Sequence, residues 1–95
     1  MAPVRRLVLD LMKPYDPPTV DYAQAVADQE GIHGVNAMLI EVDEKVENLK
    51  MTIEGEDIDI DAVTNAIERL GGSVHSVDEV VCGELLIEES RTPQD

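Results

Sequence analysis

Period-two alternation and helical spacing follow one another along this chain in a fixed order, and that order limits the fold more than any other feature. From Val4 to Met12, Leu7, Leu9 and Leu11 fall on one face while Val8, Asp10 and Met12 fall on the other, which reads as a strand. Pro14, Pro17 and Pro18 lack the ladder donor and are expected to stop it. Thr19 suits a helix N-cap, and Asp21 in the first turn meets the positive end of the helix dipole. Val20 to Glu30 then reads as a helix that Gly31 ends in a left-handed conformation. Its Ala23, Ala25 and Ala27 allow a close approach to a sheet.

Gly34 opens a second strand, Val35 to about Glu44, and a third follows from about Glu47 to Glu54. Asp43-Glu44-Lys45 between them is long enough to join antiparallel neighbours and too short for parallel ones. Leu49, Met51 and Ile53 share one face of the third strand, Asn48, Lys50, Thr52 and Glu54 the other, and Gly55 breaks it. Ile60, Val63, Ile67 and Leu70 recur at helical spacing before Gly71-Gly72. The last strand is expected from Ser73 towards Ile87, with Gly83 as a bulge or bend. The order β-α-β-β-α-β specifies an α+β, ferredoxin-like sandwich: a four-stranded antiparallel sheet with both helices on one face. Right-handed crossovers leave few alternatives. The expected organisation is a single domain over residues 1–90 and a flexible tail at 91–95. The uncovered sheet face offers Val8, Met12 and some alternate residues of the other strands, so self-association into a homo-oligomer is expected.

Composition narrows the function classes. The chain is 43% hydrophobic, enough for a core, but lacks Phe and Trp. With Tyr15 and Tyr22 as the only aromatics, the core must be aliphatic and no stacking platform for bases or sugars is available. Cys82 is alone, which excludes an intrachain disulfide and a thiolate zinc site built by one chain, and favours a reducing cytoplasmic setting. No apolar run reaches membrane length, and no signal-peptide core follows the N-terminus. Twenty-one acidic residues against seven basic ones give a net charge of -14, a self-repulsion tolerable where salt screens it. The acids are spread along the chain, as a hydrated coat in a salty cytoplasm would be. The same charge argues against nucleic acid and anionic membranes as partners.

Asp57, Asp59, Asp61 and Glu68 match positions 1, 3, 5 and 12 of a calcium loop, but position 6 is Ala62 and a strand precedes them. They are expected to cap a helix instead. The hairpin residues Glu41, Asp43, Glu47 and Asn48 bring hard oxygens to one turn and are the candidate ligands for Ca2+ or Mg2+. The competing reading is a solvated hairpin tip that Lys45 partly neutralises. His75, Ser76 and Asp78 do not form a nucleophile triad, because alternation turns His75 away from the other two. His75 is expected on a strand surface and His33 in a loop. Asp10, an acid on the open face, either pairs with Lys50 of the third strand or belongs to a ligand or oligomer contact. With no phosphate loop, catalytic acid pair or Cys-x-x-Cys, the chain reads as a non-enzymatic, self-assembling binding module. The alternative is a regulatory domain for a small, amino-acid-type ligand, held near the turn from Lys13 to Pro18.

Four segments together resemble the archaeal family designated domain of unknown function 211. They are Leu7-Val8-Leu9-Asp10-Leu11-Met12-Lys13-Pro14, Glu41-Val42-Asp43 with Glu47-Asn48-Leu49-Lys50, Thr52-Ile53-Glu54-Gly55, and His75-Ser76-Val77-Asp78-Glu79-Val80. Tyr15 departs from the histidine that the resemblance leads one to expect. The resemblance implies a ferredoxin-like fold, archaeal origin, ring-like homo-oligomers and no assigned activity. It supplies no catalytic residues, and the acidic composition agrees with a halophilic member.

Overall fold

Alternation along β1 (Val4–Pro14) and β3 (Val46–Gly55) builds the centre of the molecule in the computed structural model, which describes residues 1–89. The tail expected at 91–95 lies outside those residues. The two strands pair antiparallel with Leu7 opposite Ile53, Leu9 opposite Met51 and Leu11 opposite Leu49. All six side chains are essentially buried, and each such burial stabilises by about 1.5–3 kcal/mol at most, since the unfolded chain already hides some apolar surface. The remaining elements are α1 (Thr19–Ala27), β2 (Ile32–Val42), α2 (Ile60–Arg69) and β4 (Ser73–Cys82), giving the expected β-α-β-β-α-β order. The antiparallel sheet runs β2-β3-β1-β4. Tyr22 and Val26 of α1 and Val63, Ala66 and Ile67 of α2 enter one apolar cluster with the central leucines, so both helices cover the same face. This is the ferredoxin-like arrangement.

The ends of elements differ from the sequence expectation. β1 continues through Pro14, which pairs with Val46; a missing donor matters little at the last rung of a strand. Thr19 is the first helical residue rather than the cap: Pro18 holds the N-cap position without a side-chain bond. α1 closes at Asp28, short of Gly31. Gly31 (φ +82°) instead shapes the entry to β2, where its carbonyl accepts from Glu56 N–H at 2.9 Å. Gly55 passes so close that a Cβ there would lie 2.3 Å from the Gly31 carbonyl oxygen.

Of the four acids expected to cap α2 only Asp59 does so; Asp61 lies in its first turn, Glu68 near its C-terminal end, and Asp57 accepts from Val4 N–H at 3.3 Å. Asp59 is the N-cap and its side chain accepts from Ala62 N–H at 3.1 Å. Ile58, just outside the cap, is buried in the same cluster as Val63 in the second turn, a hydrophobic staple that sets the helix entry. Ile60, expected in the apolar stripe, is instead 38% exposed. β4 ends at Cys82 rather than continuing towards Ile87, because Gly83 (φ +111°) turns the chain out of the ladder. The irregularities expected at Gly83 occur within the β1–β4 pairing as well, at three register shifts.

Candidate functional site

The sheet face without helices carries a polar row across its strands. Lys50 stands opposite Met38 on one side and Asp10 on the other, and Asp10 stands opposite Ser76. One rung away, Glu41 faces Asn48 and Asn48 faces Met12. Together Asp10, Ile40, Glu41, Asn48, Lys50 and Asp78 line a hollow of about 260 Å³. Asp10 Oδ1 accepts from Asn48 Nδ2 at 3.3 Å, and Asp78 accepts from Ser76 Oγ at 2.7 Å. Of the two readings of Asp10, the pair with Lys50 is not formed: Asn48 on the same strand reaches the carboxylate, while the exposed Lys50 has no ion-pair partner among the described residues. The hollow therefore sets one ammonium apart from three carboxylates.

The four hairpin residues put forward as candidate ligands are divided. Glu41 and Asn48 meet on the open face. Asp43 closes the hairpin: its N–H donates to Val46 O at 2.8 Å, its carboxylate accepts from Glu44 N–H at 2.6 Å, and its carbonyl accepts from the Tyr15 hydroxyl. Glu47 turns to the helix side, where Oε1 accepts from Lys13 Nζ at 2.6 Å. Adjacent strand residues point to opposite faces, so Glu47 and Asn48 cannot share one ion within a subunit. Among the described residues no three His, Cys, Asp or Glu side chains are grouped to hold a metal.

Lys13 itself is a buried cation. Its side chain is 0% exposed against 22% for Glu47. Nζ also donates to Tyr15 O at 3.3 Å and lies 5.5 Å from the centre of the Tyr22 ring. Burial raises the Tyr22 phenol above its ordinary pKa, and its hydroxyl donates to Leu70 O at 2.8 Å. This cluster ties β1, β3 and α1 beneath the hairpin. The sequence held a signal for it, since Lys13 continues the parity of Leu7, Leu9 and Leu11.

Arg6 makes a second cluster on the open face. Its Nε donates to Glu54 at 2.7 Å, and its two terminal nitrogens donate to the two Glu88 oxygens at 2.9 and 2.7 Å. The hydrogen-bonded Arg6 guanidinium holds the Glu88 carboxyl below its ordinary range, while Glu88 and then Glu54 hold Arg6 more firmly charged. Both histidines are exposed; His33 lies in β2 rather than in a loop, 3.7 Å from Glu56.

Apolar exposure lies only partly where expected: alternate open-face residues of β2 carry it and Val8 does not. Val8 is only 7% exposed, whereas Met38, Leu39, Ile40 and Val42 on the outer strand β2 are all about half exposed. At the other edge Val77 and Val80 of β4 are 50% and 48% exposed. No helix among the described residues is long and apolar enough to cross a membrane.

The model of a family described as Uncharacterized ArCR, domain of unknown function 211, matches residues 5–95. Over 95 residues the sequence is 48% identical to "Uncharacterized protein MJ0319" of Methanocaldococcus jannaschii, across 100% of this chain and 98% of that one.

Proposed function

The chain belongs to the archaeal domain of unknown function 211 family, and from that premise we propose that it is a non-enzymatic binding module that assembles with copies of itself in a salt-rich cytoplasm. The observation that carries this reading is the pair of sheet edges. Among the described residues β2 and β4 are the outer strands, and both present large apolar side chains beside backbone groups with no strand on their outer side. An edge of this kind recruits another strand unless something blocks it. A net charge of -14 opposes the approach of two copies, and salt with a short screening length removes most of that opposition. Support for a non-enzymatic role comes from the pairing of polar groups: Ser76 is committed to Asp78, and among the described residues no histidine hydrogen-bonds to it or to Cys82. Sedimentation in concentrated potassium chloride is expected to show a species several times the 10.4 kDa monomer, dissociating as salt is withdrawn. A monomer at every salt concentration would overturn the assembly reading.

The open-face hollow favours one second reading, a regulatory site for a small ligand of the amino-acid type. An unpaired Lys50 ammonium across from the Asp10, Glu41 and Asp78 carboxylates complements a zwitterion, whose carboxylate would meet Lys50 and whose ammonium would meet the acids. Ligand at a hundred times its Kd stabilises by about 2.7 kcal/mol, or a Tm rise on the order of 10–20 °C for a domain of this size. A thermal-shift screen of amino acids checks this, with Lys50→Met expected to abolish the response. Calcium or magnesium is the competing occupant and would need oxygens from a neighbouring copy. Calcium titrated in concentrated potassium chloride, where general screening is saturated, separates it: a saturable rise lost in Glu41→Gln identifies the cation. No response to either ligand removes the second reading and leaves assembly standing.

A further inference from the structure

Beyond β4 the chain forms an arm, residues 84–89, that is anchored at both ends and exposed along its middle among the described residues. Its root is fixed by the Gly83 N–H, which donates to Pro3 O at 2.9 Å, and by the Arg5 guanidinium, which donates to the Glu84 carbonyl at 2.8 Å. Farther along, Arg6 grips both oxygens of Glu88 at 2.9 and 2.7 Å, the bidentate geometry that fixes direction as well as distance. Both arginines are on β1, and Pro3 immediately precedes it. Between the two anchors Leu85, Leu86 and Ile87 are 72%, 40% and 66% exposed. Among the described residues the arm from Glu84 to Glu89 makes no backbone–backbone hydrogen bond. A held segment with unpaired backbone groups and three successive apolar side chains has what a further strand needs and no sheet of its own to join.

The counterpart is the far edge of the same sheet. Among the described residues β2 has no strand on its outer side, and Met38, Leu39 and Ile40 are 52%, 48% and 57% exposed there. From Ile32 to Ile40 the strand carries no carboxylate, in a chain with 21 acids among 95 residues. Over that stretch β2 adds no negative charge against a second copy, and of the arm's three acids, Glu84, Glu88 and Glu89, Arg6 already offsets Glu88. With β3 and β1 between β2 and β4, an arm held on β1 cannot lie along its own β2.

We propose that the arm of one copy adds as an extra strand to the outer edge of β2 in a second copy, with Leu85 and Ile87 on one side of that sheet and Leu86 on the other. The inference rests on the assembly reading above and names its contact. Arm and edge are different surfaces, so the contact is head-to-tail and each copy both gives and receives.

Complementation tests it. Leu86→Asp spoils the arm and keeps the edge; Ile40→Asp spoils the edge and keeps the arm. Both positions are exposed, so circular dichroism should be that of the unaltered protein. In concentrated potassium chloride each variant alone is expected to sediment as the 10.4 kDa monomer, and an equal mixture as a species of twice that mass that grows no further. Assembly of either variant alone to the size of the unaltered protein would overturn the arm–edge contact while leaving self-assembly intact. Two monomeric variants that fail to combine would also overturn it. A monomeric unaltered protein would remove the assembly reading and this contact together.

Discussion

Truncating Glu47 to alanine should destabilise the protein by about 3–5 kcal/mol, because it strands a cation in the interior. Lys13 has a side chain that is 0% exposed and its carboxylate partner lies at 2.6 Å. The Tyr15 carbonyl at 3.3 Å and the Tyr22 ring at 5.5 Å remain, and neither supplies a negative charge. The 22% exposure of Glu47 places the loss towards the lower end, since water can enter part of the vacated space. Even so it is a large share of the roughly 5–15 kcal/mol that holds a domain together, and Tm should fall by at least about 12 °C. The replacement of both partners, Lys13→Met with Glu47→Leu, should recover most of the loss, because a buried pair is offset by its desolvation and a packed apolar pair is not. Thermal melts at fixed high salt would measure this. A loss below about 1 kcal/mol, or a double variant no more stable than the single, would refute the buried-charge account.

The second large effect concerns backbone approach. Gly55→Ala places a Cβ 2.3 Å from the Gly31 oxygen and 3.2 Å from Gly31 C and Ile32 Cα. All three are backbone atoms, so relief requires the start of β2 to move. That movement strains the Glu56 N–H bond to Gly31 O, now 2.9 Å, and the Ile32–Gly55 rung. Overpacking costs about 1–3 kcal/mol and the weakened hydrogen bond about 1 more. Gly34→Ala, only three residues past Gly31, should act in the opposite direction. A Cβ at Gly34 meets nothing within 4 Å, and its φ is not positive. Alanine there restricts the unfolded chain and should stabilise by about 0.4–1 kcal/mol. Parallel denaturant titrations of the two variants test the pair. Equal effects would show that glycine content, and not the close approach, governs this corner.

The order of elements could be read from the amino-acid sequence because each rule used is local. Period two sorts Leu7, Leu9 and Leu11 from Val8, Asp10 and Met12 whatever surrounds them. Asp59 before an apolar helical stripe is a cap in almost any context, and its bond to Ala62 N–H is made. The same locality exposes the hairpin assignment: Glu47 and Asn48 are neighbours in a strand, so alternation already sends them to opposite faces.

What only the tertiary structure decided involves partners distant along the chain. Lys13 and Glu47 are 34 positions apart, Asn48 and Asp10 are 38 apart, and Arg6 and Glu88 are 82 apart. No spacing rule covers such pairs, because register and strand order bring them together. Alternation gave Lys13 the parity of the core, but whether a lysine there is buried or turned to water depends on the carboxylate that arrives from β3. The exchange of Val8 for the β2 edge as the exposed apolar surface follows from the same cause. A residue's face is set by its own backbone, whereas its exposure is set by what the rest of the chain lays over it.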